Sequence, residues 1–261
     1  MRLLNGAHVL VTRPAHQAEN LSRLIEERCG VAVRFPTMAI VAMEDSRAIQ
    51  KTLAHLDGYQ WLVFISANAV TMHSYYSDGV KMEKFKPVRI AAIGKATAQA
   101  LASAGLPVDL VPESGYNSEA LLAMPEMQQM KGQRCLIVRG QGGREELAAT
   151  LRSRGACVEY LDLYRRIIPG SDSTQVSFLL AQEKLDVLTI TSAEAMQNLL
   201  TMLEKYHQRL LEFPLVVISN RIRQIAEDMG FKRIAVANSP SDAAILETVT
   251  MCVTGGIEWP N

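Results

Sequence analysis

Val9-Leu-Val-Thr-Arg13 and Cys135-Leu-Ile-Val-Arg139 decide the fold. Each is a short apolar run closed by an arginine, and the second repeats the first at an offset of 126 residues (13 to 139). Phe64-Ile-Ser66 and Ile190-Thr-Ser192 keep the same offset (66 to 192). Gly105 and Gly230 follow at 125, and Ser118-Glu-Ala-Leu-Leu122 and Asp242-Ala-Ala-Ile-Leu246 at 124. Four matches in register, drifting by only two residues, point to a tandem duplication whose loops have changed length.

Around these segments, Val- and Ile-rich runs alternate with amphipathic stretches, the pattern of βα units feeding a parallel sheet. The first series of predicted strands is His8–Arg13, Val31–Phe35, Trp61–Ile65, Val88–Ile93 and Val108–Val111. The second is Arg134–Arg139, Cys157–Leu163, Val187–Thr191, Leu215–Ile218 and Arg233–Ala237. Between strands, Leu21, Leu24 and Ile25 share one helix face, as do Leu147 and Leu151 at the matching place. The expected fold class is α/β, with two similar doubly wound parallel sheets and, on the repeat alone, a boundary near Met130. A cleft between duplicated lobes is the natural ligand site.

Composition bounds the partners. The 261 residues carry 27 Lys+Arg and 27 Asp+Glu, so no positive excess exists to attract a nucleic-acid backbone or an anionic membrane. Hydrophobic residues at 48% suffice for buried cores. The start, MRLLNGAHVLVTRP, has no export-signal pattern, and no run approaches the roughly 18 apolar residues that span a bilayer. Cys29, Cys135, Cys157 and Cys252 stand singly, and the five histidines form no ligand motif, so neither a disulfide framework nor a metal centre is expected. These features predict a soluble, cytoplasmic chain.

Ligands of open α/β sheets bind beyond the carboxyl ends of the strands, where helices present free amide groups. At those ends lie Arg13; Ser66-Ala67-Asn68; Gly94 and Thr97; Arg139-Gly-Gln-Gly142-Gly143-Arg144; Ser192; and Ser219-Asn220. Ser66 and Ser192 read equally as helix caps. The same geometry suits an acidic ligand, because a helix N-terminus stabilises an anion without a lysine cluster. Arg139–Arg144 lacks the third glycine of a dinucleotide fingerprint, Glu145 standing in its place, and there is no P-loop or Gly-x-Ser-x-Gly elbow. Tyr164, beside Arg165 and Arg166, is either a packed aromatic or a proton donor facing the cleft.

Taken together, these residues resemble uroporphyrinogen-III synthase. The matching pieces are Val11-Thr-Arg13-Pro14, Phe64-Ile-Ser66-Ala-Asn-Ala-Val70, Ile93-Gly94-Lys-Ala-Thr97-Ala98, Leu136–Glu145, Gly155–Tyr164 and Thr191-Ser192. The resemblance implies two flavodoxin-like lobes, one formed by residues 1–36 and 168–261 and the other by 42–163, joined by a two-stranded linker of 37–41 and 164–168. It implies a cofactor-free enzyme that cyclises hydroxymethylbilane with loss of water and inversion of the terminal pyrrole. Tyr164 would be the catalytic donor. Arg13, Ser66, Ala67, Asn68, Gly94, Thr97, Arg139, Gly142, Gly143, Arg144, Ser192, Ser219 and Asn220 would contact substrate. A monomer is implied, with a transient contact to the preceding pathway enzyme. One departure stands out: Ile222 occupies the position matching Thr97 in the second repeat. Two rival readings stand beside it: a binding module for a small anionic metabolite, which shares the duplicated lobes, and a nucleotide-binding flavodoxin-like enzyme, which the incomplete glycine pattern and the missing phosphate-binding loop undercut.

Overall fold

The computed structural model describes residues 3–77, 88–115, 117–143 and 145–259. In chain order the strands are β1 His8–Val11, β2 Val31–Arg34, β3 Ala39–Ala42, β4 Trp61–Phe64, β5 Arg89–Ala92, β6 Arg134–Gly140, β7 Cys157–Ile167, β8 Val187–Ile190, β9 Leu215–Val217 and β10 Ile234–Val236. The helices are α1 Ala15–Glu27, α2 Ser46–Leu53, α3 Ala67–Tyr76, α4 Lys95–Ser103, α5 Ser118–Ala123, α6 Glu146–Ser153, α7 Thr174–Ala181, α8 Ala193–Met202, α9 His207–Leu210, α10 Asn220–Asp228 and α11 Asp242–Val253. Among the described residues, no helix is long and apolar enough to cross a membrane.

Backbone contacts divide the chain into unit 1, Met1–Ala39 with Ile167–Asn261, and unit 2, Ile40–Arg166. The boundary suggested by the repeat, near Met130, is therefore displaced. The reason is strand exchange: β1 and β2 of the first series join β8, β9 and β10 of the second. Unit 1 has the order β10-β9-β8-β1-β2, and unit 2 the order β3-β7-β6-β4-β5. Counted along its own chain, unit 1 reads 2-1-3-4-5, the flavodoxin-like order. In unit 2, β7-β6-β4-β5 repeats β2-β1-β8-β9 strand for strand. The register agrees too, since His8 pairs with Val31 and Arg134 with Cys157, both at the 126-residue offset.

One expected strand is absent. Val108–Val111 makes only an isolated bridge, Leu110 to Ala91. Pro107 and Pro112 bracket it without N–H donors, and the Asp109 carboxylate takes the Ile90 N–H at 2.7 Å. The fifth strand of unit 2 is instead β3, which lies beside β7 in the sheet.

Both sheets are covered on two faces, as strand alternation dictates. In unit 1, Val9 and Val11 pack under α1 and α11 with Leu21, Ile25, Ile245 and Val249. The intervening Leu10 faces α7, α8 and α10, among Leu180, Leu199 and Ile222. In unit 2, Leu62, Phe64, Leu136 and Val138 lie against α2, α3 and α4. Trp61, Val63, Cys135 and Ile137 lie against α5 and α6. Each fully buried Leu, Ile or Val contributes about 1.5–3 kcal/mol relative to exposure, so these faces fix where every strand end points.

Candidate active site

The carboxyl ends of β4, β6 and β7 in unit 2 converge on one cavity of about 270 Å³. Ser66 stands at its wall because the chain leaves β4 in extended conformation and turns into α3. Its Oγ accepts the Ala69 N–H at 3.0 Å, an N-cap worth about 1 kcal/mol. The same oxygen lies 2.9 Å from the phenol oxygen of Tyr164. Both sequence readings of Ser66 hold together: it caps a helix, and it lines a polar cavity.

Tyr164 reaches Ser66 through an irregularity of β7. Pairing runs evenly from Arg134↔Cys157 to Arg139↔Asp162, then jumps to Gly140↔Tyr164, leaving Leu163 as an extra residue. Before the jump, Val158 and Tyr160 pack on the α5–α6 face and Leu161 and Leu163 on the α2–α4 face. Strict alternation would return Tyr164 to the Tyr160 side. The bulge puts it on the Leu163 side, where Ser66 heads α3. The ring is 1% exposed.

Arg139, 7% exposed, lines the cavity with its guanidinium already engaged. Nε donates to Asp162 at 2.9 Å and Nη1 to Glu145 at 3.1 Å, and the group lies 3.5 Å from the Tyr160 ring centroid. The Tyr160 hydroxyl donates to the second Glu145 oxygen. Burial, followed by that carboxylate, raises the Tyr160 phenol above its usual range. Hydrogen bonds from Tyr160 and then Arg139 hold Glu145 below the usual carboxylate range. Gly142 (φ +77°) and Gly143 (φ +109°) turn the chain from β6 toward α6 in left-handed backbone that side chains disfavour.

Of the residues singled out by sequence, Ser66, Arg139, Gly142, Gly143 and Tyr164 line this cavity. Ala67 and Asn68 open α3, and Gly94 caps α4, without lining it. Thr97 is 3% exposed at the third position of α4 and does not line it either. Its counterpart Ile222 occupies the third position of α10 and is also 3% exposed. Both positions face their unit's interior, which explains why an isoleucine is accommodated. In unit 1, Ser192 caps α8 through Ala195 N–H at 3.0 Å and Ser219 caps α10, with Asn220 the first helical residue. Arg13 forms an ion pair with Asp242, which also accepts from Asn20 at 2.6 Å. Arg144 lies outside the described residues.

Tyr160, Arg166 and Ser118, not singled out in the sequence, also line the cavity, as do Gly140 of the Arg139–Arg144 stretch and the apolar Ile65, Ile93, Ile137 and Leu147. Tyr160 had a signal, since it lies on the predicted strand Cys157–Leu163 that ends just before Tyr164, and Arg166 had another, two residues beyond that tyrosine. Ser118 had another, as the first residue of a duplicated segment. Ile93 lies beyond the end of β5, and only the fold brings it here.

The family model described as Uroporphyrinogen-III synthase HemD matches residues 19–247. Uroporphyrinogen-III synthase of Escherichia coli (strain K12) is 30% identical over 246 residues, covering 92% of this chain and 99% of that one. The enzyme of the same name from Chlorobaculum parvum is 32% identical over 197 residues, covering 73% and 76%. Among solved structures, a mutant uroporphyrinogen III synthase from the extremely thermophilic bacterium Thermus thermophilus superposes with a TM-score of 0.67 at 17% identity, covering 96% and 100%. Uroporphyrinogen-III synthetase from Helicobacter pylori 26695 gives 0.58 at 14%, covering 93% and 97%. At these identities the two structures speak for the fold.

Proposed function

This chain belongs to the uroporphyrinogen-III synthase family, an enzyme of the cyclising lyase type, and on that premise we propose that the unit 2 cavity seats the reacting end of hydroxymethylbilane with Tyr164 as proton donor. The observation carrying this reading is the Tyr164–Ser66 hydroxyl pair at 2.9 Å on the cavity wall. We assign this cavity of about 270 Å³ to the reacting ring of the substrate.

The chemistry follows from the pair. The terminal hydroxyl departs when the phenol proton reaches its oxygen: the C–O bond breaks, its electron pair leaves with water, and an azafulvene cation remains. The phenol oxygen then carries negative charge. Ser66, whose Oγ is held by the Ala69 N–H, is placed to donate its own proton to that oxygen. Such a hydrogen bond strengthens as charge develops, which is where it lowers the barrier. Closure through a spiro intermediate then inverts the last pyrrole. Holding the chain ends in a near-attack arrangement selects this route over direct closure to the type I isomer.

In this reading Gly142 and Gly143 let substrate approach the backbone, and the first-turn amides at Ala67, Asn68 and Gly94 offer donors to carboxylates. Ser192, Ser219 and Asn220 are assigned the same task at their helix starts, whereas Thr97, turned into the interior of its unit, enters as packing of the first turn of α4. Arg13 and Arg139 enter as braces of the strand ends, because each already meets a carboxylate of its own unit. The lobe limits 1–36 with 168–261 and 42–163 belong to the proposal, supported by the division after Ala39 and Arg166. So do a cytoplasmic location, a monomeric state and a passing contact with the enzyme that supplies the substrate. Light scattering on the purified chain tests the monomer.

The deciding experiment is Tyr164→Phe, assayed with hydroxymethylbilane and chromatography of the oxidised products. We expect kcat for the type III product to fall by about 100-fold or more. KM should stay within about threefold, because the proton matters most in the transition state. Wild-type turnover in Tyr164→Phe would remove the tyrosine from the mechanism.

A further inference from the structure

Tyr164 is held where strand alternation would not put it, and one residue without a side chain makes that possible. We infer that Gly140 is a positioning residue for catalysis: its bare Cα is the surface against which the Tyr164 ring rests, and it acts only through that ring. This rests on the reading of Tyr164 as proton donor.

Three observations converge. A Cβ built on Gly140 would fall 3.0 Å from Cδ2 of Tyr164 and closer still to Cε2 and Cζ, the edge that carries the hydroxyl. Real Cβ atoms do not come so near, so the ring, 1% exposed and packed against the α2–α4 core, would have to leave the place that sets its hydroxyl beside Ser66. Next, Gly140 is the residue that pairs with Tyr164 after the bulge, and the following Gln141 N–H donates to the Tyr164 carbonyl at 2.6 Å. Backbone and ring are thus gripped by the same two residues. Finally, the arrangement is not a legacy of the duplication. Because Leu163 is an extra residue, the positions matching Gly140 and Tyr164 in unit 1 are Pro14 and Thr37. The glycine seat therefore accompanies the tyrosine and not the fold.

Gly140 has no positive φ to excuse it. Its backbone conformation is open to any residue, so the demand for glycine comes from the ring alone. That gives a clean test with Gly140→Ala, Tyr164→Phe, Tyr164→Ala and the two double variants. Gly140→Ala should lower kcat for the type III product by about 100-fold, to the level of Tyr164→Phe, with KM within about threefold. Adding Tyr164→Phe to it should cost nothing more. In thermal unfolding, Gly140→Ala should lower the midpoint by about 4 °C in the parent chain, the mark of an overpacked core. In the Tyr164→Ala background, where the ring is gone, it should leave the midpoint unchanged. A variant that fails to fold alone but folds with Tyr164→Ala gives the same support. Equal midpoint losses in both backgrounds, failure to fold in both, or wild-type kcat in Gly140→Ala would each overturn the inference. Full turnover by Tyr164→Phe would instead sink the donor reading, while the unfolding cycle still judges the seat.

Discussion

Replacing His73 by leucine should flatten the response of stability to acid. His73 lies on α3, is 2% exposed, and meets the Phe64 ring edge-on at 5.6 Å between centroids. Burial disfavours the imidazolium and lowers its pKa from 6.5 to about 4. The sign follows from proton counting. Between pH 6.5 and about 4 the unfolded chain binds a proton at His73 and the folded chain does not, so stability is full above 6.5 and declines as pH falls. Each pH unit in that window costs about 1.4 kcal/mol, which makes about 2 kcal/mol by pH 5 and about 3 kcal/mol by pH 4, where the loss levels off. Urea unfolding of parent and His73→Leu at half-unit steps from pH 4 to 7.5 reads this directly. Carboxylates such as Glu145 and Glu159, both held below their usual range, titrate alike in the two proteins and cancel in the difference. The difference should grow with acidity at the stated slope. Parallel curves through the whole window would refute the argument, as would the His73 imidazole of the folded chain titrating near 6.5 by NMR.

The cavity supplies two more expectations. Ser66→Ala removes both the α3 cap and the hydroxyl beside Tyr164. We expect stability to drop by about 1 kcal/mol in urea unfolding and kcat by about tenfold, the worth of one hydrogen bond to a charging oxygen. An unchanged kcat would show that Tyr164 works without it. Arg139→Met removes the shared partner of Asp162 and Glu145. Both carboxylates keep some solvent, so the cost should be about 1–2 kcal/mol, below that of a fully buried pair. KM should move less than about threefold, because the guanidinium is already committed. A tenfold rise in KM with leakage to the type I isomer, at unchanged stability, would restore Arg139 as a substrate clamp.

Much of the molecule was legible in the chain alone. The 126-residue offset announced two related sheets, and short Val- and Ile-rich runs placed nine of the ten expected strands to within two residues of their starts. The tenth, Val108–Val111, failed for a local reason: flanking prolines and an aspartate that takes a ladder donor. Ser66 and the glycines after β6 were found because strand ends and helix starts are written in short local patterns. Tyr164 was found by resemblance and by its place after a predicted strand.

What the sequence determined by itself was the set of elements and the duplication, because hydrophobic period and cap chemistry depend on neighbours a few residues away. Hydrophobic period could not say which strands share a sheet; the family resemblance implied the grouping, and the tertiary structure joins β1 and β2 to β8–β10 across more than a hundred intervening residues. It alone fixed the commitments of the arginines: Arg13 to Asp242, and Arg139 to Asp162 and Glu145. It alone turned Tyr164 toward Ser66, because the extra Leu163 in β7 can be counted only against the register of β6. A periodic pattern says that a residue lies on a strand. Which way it faces after a bulge is set by the strand beside it, and for this tyrosine that neighbour is Gly140.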